Sequence, residues 1–238
     1  MNTSSLYPRF SDAEFARRYA LVRTAMQEAD LSALVLHGTA SSYHEVQYLS
    51  NFLVTREAML VFPDEGEPTL FVQFYNHVPN ARRVASITDV RWGGTDIAVA
   101  TANNLQERGL AQSRIGIMGT IPFKHYETIR QALPHATFLD FTPQMHQLRL
   151  VKSDEEIAFL QKGAEFSDRA IEALEREARP GITEHELAPL SKEPTWDWMA
   201  RPTFTIWLLR LCIIQRCAYL CSTSRIASLR KAMYLLQR

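Results

Sequence analysis

The apolar pattern of the first 50 residues predicts a helix followed by a buried strand and a second, short helix. Ser11 is placed to cap a helix over residues 12–30. The run of apolar residues at 33–36 predicts a buried strand, and residues 41–49 predict the short helix. The first helix has one apolar face, consisting of Phe15, Tyr19, Val22, Met26 and Ala29. We expect this face to pack against a sheet.

A hairpin and an alternation of helices and strands follow. Two apolar runs, at 58–62 and 69–74, flank a turn segment that contains Gly66 between two prolines. Further elements are predicted at 78–84, 87–92, 97–108, 114–118, 122–133, 137–139 and 143–150. This alternation predicts an α/β fold with helices on both faces of its sheet. The predicted core includes Leu36, Leu60, Phe62, Leu70, Val72, Ile117 and Leu139.

A long, well-delimited helix is predicted at residues 153–178. Ser153 and Glu156 have the spacing of a capping box, and acidic residues occupy the first turn. One narrow stripe of apolar or small residues runs along the helix, consisting of Ile157, Leu160, Ala164, Ser167, Ile171, Leu174 and Ala178. Pro180 and Gly181 end this helix, and Thr183 is placed to begin a second capped helix.

The amino-acid sequence of this region resembles that of one known family. Residues 148–157 read Leu-Arg-Leu-Val-Lys-Ser-Asp-Glu-Glu-Ile, and residues 179–187 read Arg-Pro-Gly-Ile-Thr-Glu-His-Glu-Leu. Together with a Tyr-Leu-x-x-Phe segment at 48–52, they resemble the creatinase, prolidase and aminopeptidase P family of "pita-bread" metallohydrolases. The resemblance implies a creatinase-type N-terminal α/β domain at 1–150, with a mixed sheet and helices on both faces. It also implies the truncated start of a pita-bread α+β catalytic domain, its first helices, at 151–188.

The same resemblance implies chemistry that lies further along the chain. Intact relatives bind two divalent metal ions (Mn, Zn or Co) through two Asp, one His and two Glu, and most often cleave Xaa-Pro peptides. None of these five ligands lies in the helices that carry the resemblance. Other activities in the family include creatine-like amidine hydrolysis and C–S bond cleavage, and a homodimer is the assembly that the family implies.

Composition narrows the class of protein. The 238 residues are 46% hydrophobic and 22% charged with a formal net charge of zero, which is typical of a soluble globular chain. The first thirty residues contain no secretory signal, so we expect a cytoplasmic protein. The apolar stretch 205–220 is interrupted by Arg210 and Arg216, which disfavours a membrane span. The bases after residue 197 are dispersed, which disfavours nucleic-acid binding.

Local motifs offer little catalytic chemistry. Gly93 and Gly94 lack the spacing of a phosphate-binding loop and favour a plain turn between a strand and a helix. No pair among the seven histidines has metal-ligand spacing, so we expect each to be on the surface or singly hydrogen-bonded. His185 lies between two glutamates, but neighbouring residues on a helix point apart. The sequence therefore predicts no catalytic, cofactor-binding or metal-binding residue in this chain.

The three cysteines, Cys212, Cys217 and Cys221, suggest a thiolate zinc site. Structural zinc sites usually need four ligands and a two-residue spacer in at least one pair, and no histidine follows His185. We therefore interpret this clustering as chance.

Residues 189–238 have the composition of an out-of-frame translation. No glycine follows Gly181, all 26 acids lie at or before Asp197, and three of the four tryptophans lie between 196 and 207. Residues 196–200 (Trp-Asp-Trp-Met-Ala) must be encoded by TGG GAY TGG ATG GCN, and reading from the third base of each codon gives Gly-Leu-Asp-Gly. With permitted codons, the wider re-reading resembles the family's continuation into its catalytic domain. We expect this tail to lack a native fold and to be removed by limited proteolysis, leaving a fragment that ends between residues 150 and 188.

These observations lead to two hypotheses about function. The first is a truncated, catalytically inactive member of the Xaa-Pro peptidase and creatinase family. The second is a non-catalytic module that acts by dimerisation or by binding a partner. We expect no metal cofactor in this chain under either hypothesis, because the tail supplies none of the family's ligands.

Overall fold

A computed structural model of the chain describes residues 9–177, 179, 181–183 and 185–186. The chain divides into a compact unit of Arg9–Val151 and a second unit to which residues from Lys152 onward belong. The predictions for the tail at 189–238, including its three cysteines, lie outside the described residues. Within the described part of the chain, no helix combines the length and apolar character needed to span a membrane.

The first unit alternates helices with short strands, as the sequence predicts. Its helices are α1 (Asp12–Glu28), α2 (His44–Ser50), α3 (Val78–Val84), α4 (Ile97–Glu107), α5 (Phe123–Ala132) and α6 (Thr142–Leu150). Its strands are β1 (Ala33–Thr39), β2 (Glu57–Pro63), β3 (Thr69–Val72), β4 (Asp89–Trp92), β5 (Arg114–Met118) and β6 (Thr137–Asp140). The predicted cap of α1 is confirmed, because Ser11 Oγ accepts a hydrogen bond from the Glu14 amide over 3.1 Å.

The six strands form one mixed sheet in the order β4-β3-β2-β1-β5-β6. The hairpin around Gly66 makes β2 and β3 antiparallel, and β1 is antiparallel to β2. The pairs β3/β4, β1/β5 and β5/β6 are parallel, and a helix connects the two strands of β3/β4 and β5/β6. Parallel pairing requires such crossover connections, which explains the helix-strand alternation in the sequence.

Helices cover both faces of this sheet. Alternate residues of β1 and β2, such as Val35 and Met59, pack in one apolar cluster with residues of α4 and α5. On the opposite face, Tyr19 of α1 meets Phe62 of β2 edge to face, with 5.1 Å between ring centroids. The period of two along a strand assigns successive side chains to the two layers. The predicted mixed α/β architecture is therefore confirmed.

Five of the seven predicted core residues are fully buried, and the other two are partly buried. Leu36, Leu60, Phe62, Leu70 and Val72 are buried. Ile117 and Leu139 are only partly buried. Leu139 lies on β6, an outer strand with a neighbour on one side only, and Ile117 packs against the core cluster as a partly buried residue.

The second unit contains α7 (Asp154–Glu177). Its capping box is confirmed, because the Ser153 amide donates to Glu156 Oε2 over 3.0 Å and the Glu156 amide donates to Ser153 Oγ over 3.1 Å. Of the predicted stripe, Ser167 is buried, whereas Ile157 and Leu160 are 42% and 58% exposed. The buried residues of the helix are Gly163, Phe166, Ser167, Ala170 and Ala173. The buried face therefore shares Ser167 with the predicted stripe and otherwise consists of neighbouring positions.

Candidate functional site

Two neighbouring strands place a histidine and a glutamate on the same face of the sheet. His37 follows Val35 by two residues on β1 and so lies on the face covered by α4 and α5. Glu57 is the first residue of β2, two residues before Met59, which pairs with His37. Both side chains therefore lie beside the apolar layer, with His37 buried and Glu57 partly exposed.

Two helix N-termini add polar groups at this position. His125 lies in the first turn of α5. Asp96 is the N-cap of α4, and its Oδ1 accepts a hydrogen bond from the Ala98 amide over 3.0 Å. An Asp at this position is a favourable cap because its side chain pairs with an amide that the helix leaves unpaired. The cap thus fixes the carboxylate of Asp96 near the ring of His125.

The two histidines converge on one carboxylate oxygen. Glu57 Oε1 lies 2.9 Å from His37 Nε2 and 2.9 Å from His125 Nε2. A carboxylate oxygen accepts hydrogen bonds, so each ring donates its Nε2–H to Glu57 in this arrangement. The ligand-type atoms of these three residues all lie within 4.8 Å of one another. We call His37, Glu57 and His125 the His-Glu-His cluster.

One polar atom beside the cluster is poorly satisfied. His125 Nδ1 is buried and has no hydrogen-bond partner. The closest carboxylate oxygen described for it is Asp96 Oδ1, at 3.9 Å, which is too long for a hydrogen bond. Buried polar atoms are almost always paired, so an unpaired imidazole nitrogen points to a function or to a missing partner.

The cluster is the one group of three or more potential metal-ligating side chains found among the described residues. Two imidazoles and a carboxylate can bind a transition metal ion or shuttle a proton. Sequence reasoning missed the cluster because its members are 20 and 68 residues apart in the chain. Only the pairing of β1 with β2 and the position of α5 bring them together.

The motifs weighed from sequence have other roles. Gly93 and Gly94 form the predicted turn between β4 and α4, where the Gly93 amide donates to Val72 O over 2.8 Å and Gly94 has φ of 70°. His185 is exposed and does not belong to the metal-ligand group found among the described residues. His77 Nδ1 pairs with the hydroxyl of Thr55 over 2.7 Å, which is a single surface hydrogen bond.

A second charged group lies around α2 and α6. Glu45 is largely buried, and its Oε1 accepts a hydrogen bond from Arg149 over 3.1 Å. Burial of the ring and, next, the positive charge of Arg149 lower the pKa of His44, while Glu45 opposes this shift. The neutral form of His44 is therefore favoured in the folded protein.

The six-stranded mixed sheet with its two helical layers is the architecture of a class of N-terminal domain. The Creatinase/Prolidase N-terminal domain family matches residues 18–151, which is more than half of the chain. The chain belongs to this family.

Individual relatives agree with this assignment. The chain is 28% identical to the creatinase of a Bacillus species over 188 residues, which cover 76% of this chain and 44% of that protein. The Xaa-Pro dipeptidase of Bacillus anthracis has a TM-score of 0.59 and 22% identity, covering 77% of this chain and 49% of that chain. The X-Pro aminopeptidase of Thermotoga maritima has a TM-score of 0.65 and 18% identity, with 76% and 49% covered. Both structural similarities show a shared fold, and the chain spans about half the length of these relatives.

Proposed function

We propose that residues 9–151 are the N-terminal domain of a hydrolase of the Xaa-Pro peptidase and creatinase type, and that the 238-residue chain does not hydrolyse such substrates by itself. The main observation that supports the first part of this proposal is the match of this domain to the family. The capped helix α7 also supports the first part. Its first turn lies within the sequence segment that resembles the beginning of the family's catalytic domain.

The residue content of the chain supports the second part. The ligand set that the family resemblance implies needs two Asp, one His and two Glu. After residue 188 the chain contains only Glu193 and Asp197 as acids and no histidine. The His-Glu-His cluster has a different composition and belongs to the N-terminal domain. The residues of this chain therefore do not fit a dinuclear centre, and we derive no catalytic step through one.

For a full-length form of this protein, the substrate class is inferred from the relatives alone. An Xaa-Pro dipeptidase and an X-Pro aminopeptidase share the fold, which favours peptides with a proline after the first residue. The similarity to a creatinase keeps amidine hydrolysis as an alternative.

The test begins with the coding DNA around codons 188–193. We expect a frame change there whose repair extends the family resemblance. The 238-residue chain should hydrolyse no Xaa-Pro dipeptide in the presence of Mn²⁺, whereas the frame-restored protein should. Chelator-sensitive hydrolysis by the purified 238-residue chain would contradict the proposal.

A second candidate is a non-catalytic module that forms a homodimer. An exposed aromatic pair favours it, because Tyr75 is 73% exposed and meets the half-exposed ring of Trp92 at 5.7 Å between centroids. Trp92 ends the outer strand β4, so this pair lies beside a free sheet edge. Exposed aromatic side chains at a sheet edge are typical of interfaces.

Sedimentation velocity tests this candidate. Tyr75→Ser should weaken a concentration-dependent dimer, whereas Phe123→Ser, which removes an exposed aromatic from α5, should not. A monomer at all concentrations, or an equal effect of both substitutions, would exclude this surface as the dimer interface.

A further inference from the structure

We propose that His37, Glu57 and His125 form a mononuclear binding site for a divalent transition metal ion, with Zn²⁺ as the ion that the donor set favours. The site would lie within the N-terminal domain. It is independent of the dinuclear centre implied for intact relatives, so it stands or fails separately from the function proposed above. It also departs from the expectation, drawn from sequence, that the chain holds no metal.

The distances within the cluster are close to those of a metal site. With bonds of about 2.0–2.1 Å, a tetrahedral zinc ion holds its ligand atoms about 3.3 Å apart. Glu57 Oε1 lies 2.9 Å from each Nε2 atom, and all three ligand atoms lie within 4.8 Å of one another. For a metal ion to bind, each ring would move its proton from Nε2 to Nδ1, and Glu57 Oε1 would move a few tenths of an ångström away from each Nε2 atom. The two Nε2 atoms, which lie within 4.8 Å of one another, would take up a separation of about 3.3 Å.

The unpaired nitrogen of His125 supports metal binding over a purely structural hydrogen bond. When the ring donates its Nε2–H to Glu57, a neutral imidazole presents a lone pair at Nδ1, which then faces the carboxylate of Asp96 at 3.9 Å. Metal binding at Nε2 would move the proton to Nδ1. The Nδ1–H could then donate to Asp96, which is how metal-ligating histidines are commonly oriented.

Asp96 is well placed for this orienting role. Its Oδ1 is already held by the Ala98 amide at the start of α4, so its position is fixed by the helix cap. We therefore assign Asp96 as a positioning residue for His125, without direct contact to the metal.

The donor set favours zinc over the hard cations. Two neutral imidazoles and one carboxylate suit Zn²⁺ and its neighbours in the first transition row, whereas Mg²⁺ and Ca²⁺ prefer oxygen ligands alone. The side chains of Glu57 and His125 are 14% and 18% exposed, so solvent reaches the cluster while His37 lies at its buried side. Water can therefore fill a fourth position.

The test is calorimetric titration of the full chain with Zn²⁺ after chelator treatment and removal of the chelator. We expect about one ion bound per chain with no comparable binding of Mg²⁺. Glu57→Gln and His125→Gln should each weaken the affinity by more than about 100-fold, beyond the range for outer-shell residues. His135→Gln is the matched control, since His135 is an exposed histidine outside the cluster, and it should leave binding unchanged.

A second arm excludes the tail cysteines as the source of binding. The variant with Cys212, Cys217 and Cys221 all replaced by Ser should keep its affinity and stoichiometry. If this variant loses Zn²⁺ binding while His125→Gln keeps it, the metal belongs to the thiolates and the proposal is wrong.

A third arm tests the positioning role of Asp96. Asp96→Asn preserves a good helix cap, because Asn and Asp are equally favoured there. It should lower the Zn²⁺ affinity by roughly 10–100-fold with unchanged stoichiometry. Circular dichroism of each metal-free variant checks that it remains folded. Absence of binding by the folded full chain, or unchanged binding by both folded cluster variants, would overturn the site.

Discussion

Arg18 donates its Nε–H to Glu14 Oε1 over 2.8 Å, one turn apart on α1, with only 2% and 3% of the two side chains exposed. A second guanidinium nitrogen donates to Tyr48 O over 3.0 Å, and the guanidinium carbon lies 4.4 Å from the Tyr48 ring centroid. The ion pair is therefore enclosed by α2 and satisfied by hydrogen bonds. Glu14 also accepts hydrogen bonds from the partly exposed Arg17, one at each carboxylate oxygen and each over 2.8 Å. Removal of Arg18 would therefore leave Glu14 paired with Arg17, but it would leave the buried Tyr48 carbonyl without its charged donor.

We predict that Arg18→Met lowers the free energy of unfolding by about 1–3 kcal/mol, because it removes buried charged hydrogen bonds while Arg17 still compensates Glu14. The matched control is Arg130→Met, which breaks the exposed pair of Arg130 with Glu127 on α5 and should change stability little. Urea unfolding measures both. Equal effects of the two substitutions would show that burial does not decide the strength of the Arg18 pair.

We predict that Leu60→Ala and Leu70→Ala each cost roughly 2–5 kcal/mol, because both side chains are fully buried on central strands. Leu139→Ala on the outer strand β6 should cost less, since that side chain is only half-buried. Thermal and urea unfolding check the order. If both central substitutions leave the melting midpoint unchanged, the assignment of these strands to the core is wrong.

We predict strong coupling between Gly116 and Leu34. A Cβ atom at Gly116 would lie 2.4 Å from Leu34 Cδ2 and 3.0 Å from Leu31 Cδ1. Gly116→Ala alone should destabilise the domain by about 1–3 kcal/mol through overpacking. In a Leu34→Ala background the same change should cost less, because the added methyl occupies space that the leucine has left. Additive effects across this double-mutant cycle would show that the predicted clash is absent.

We predict that protonation of His44 lowers the free energy of unfolding as the pH falls below about 6.5. Its pKa is lowered in the folded state by burial of the ring and by Arg149, so the unfolded chain binds the proton more tightly. His44 contributes nothing to the pH dependence well above its ordinary pKa of about 6.5. Stability should fall as the pH drops from that value to the lower pKa of the folded state.

The comparison of His44→Gln with the unchanged chain isolates this contribution. The loss of unfolding free energy between pH 7.5 and pH 5.5 should be smaller in the variant. His135→Gln, at an exposed site, should retain the full loss. Identical pH dependence in all three proteins would remove His44 as the source.

Local chemistry in the sequence determined the elements of this fold. The limits of α3 and β5 are those predicted, and the caps at Ser11 and Ser153 form as expected, because caps and periodicity act between residues close in the chain. The alternation of helices and strands likewise specified a sheet between helical layers, and the family resemblance implied that the sheet is mixed. The family followed from the short segments at 148–157 and 179–187, without any knowledge of the packing.

Tertiary structure decided what distant residues do together. In the sequence, Glu14 and Arg18 resemble ordinary polar positions on the exposed face of a helix. In the folded protein both are buried, and Arg18 contacts α2. On α7 the tertiary structure decided which positions are buried, and Phe166, Ala170 and Ala173 lie beside the predicted stripe and not in it. His37, Glu57 and His125 have no shared motif, because strand pairing and the docking of α5 bring them within hydrogen-bond distance. A local pattern contains no information about such contacts, since their geometry is set by the register of the sheet and the packing of its helices.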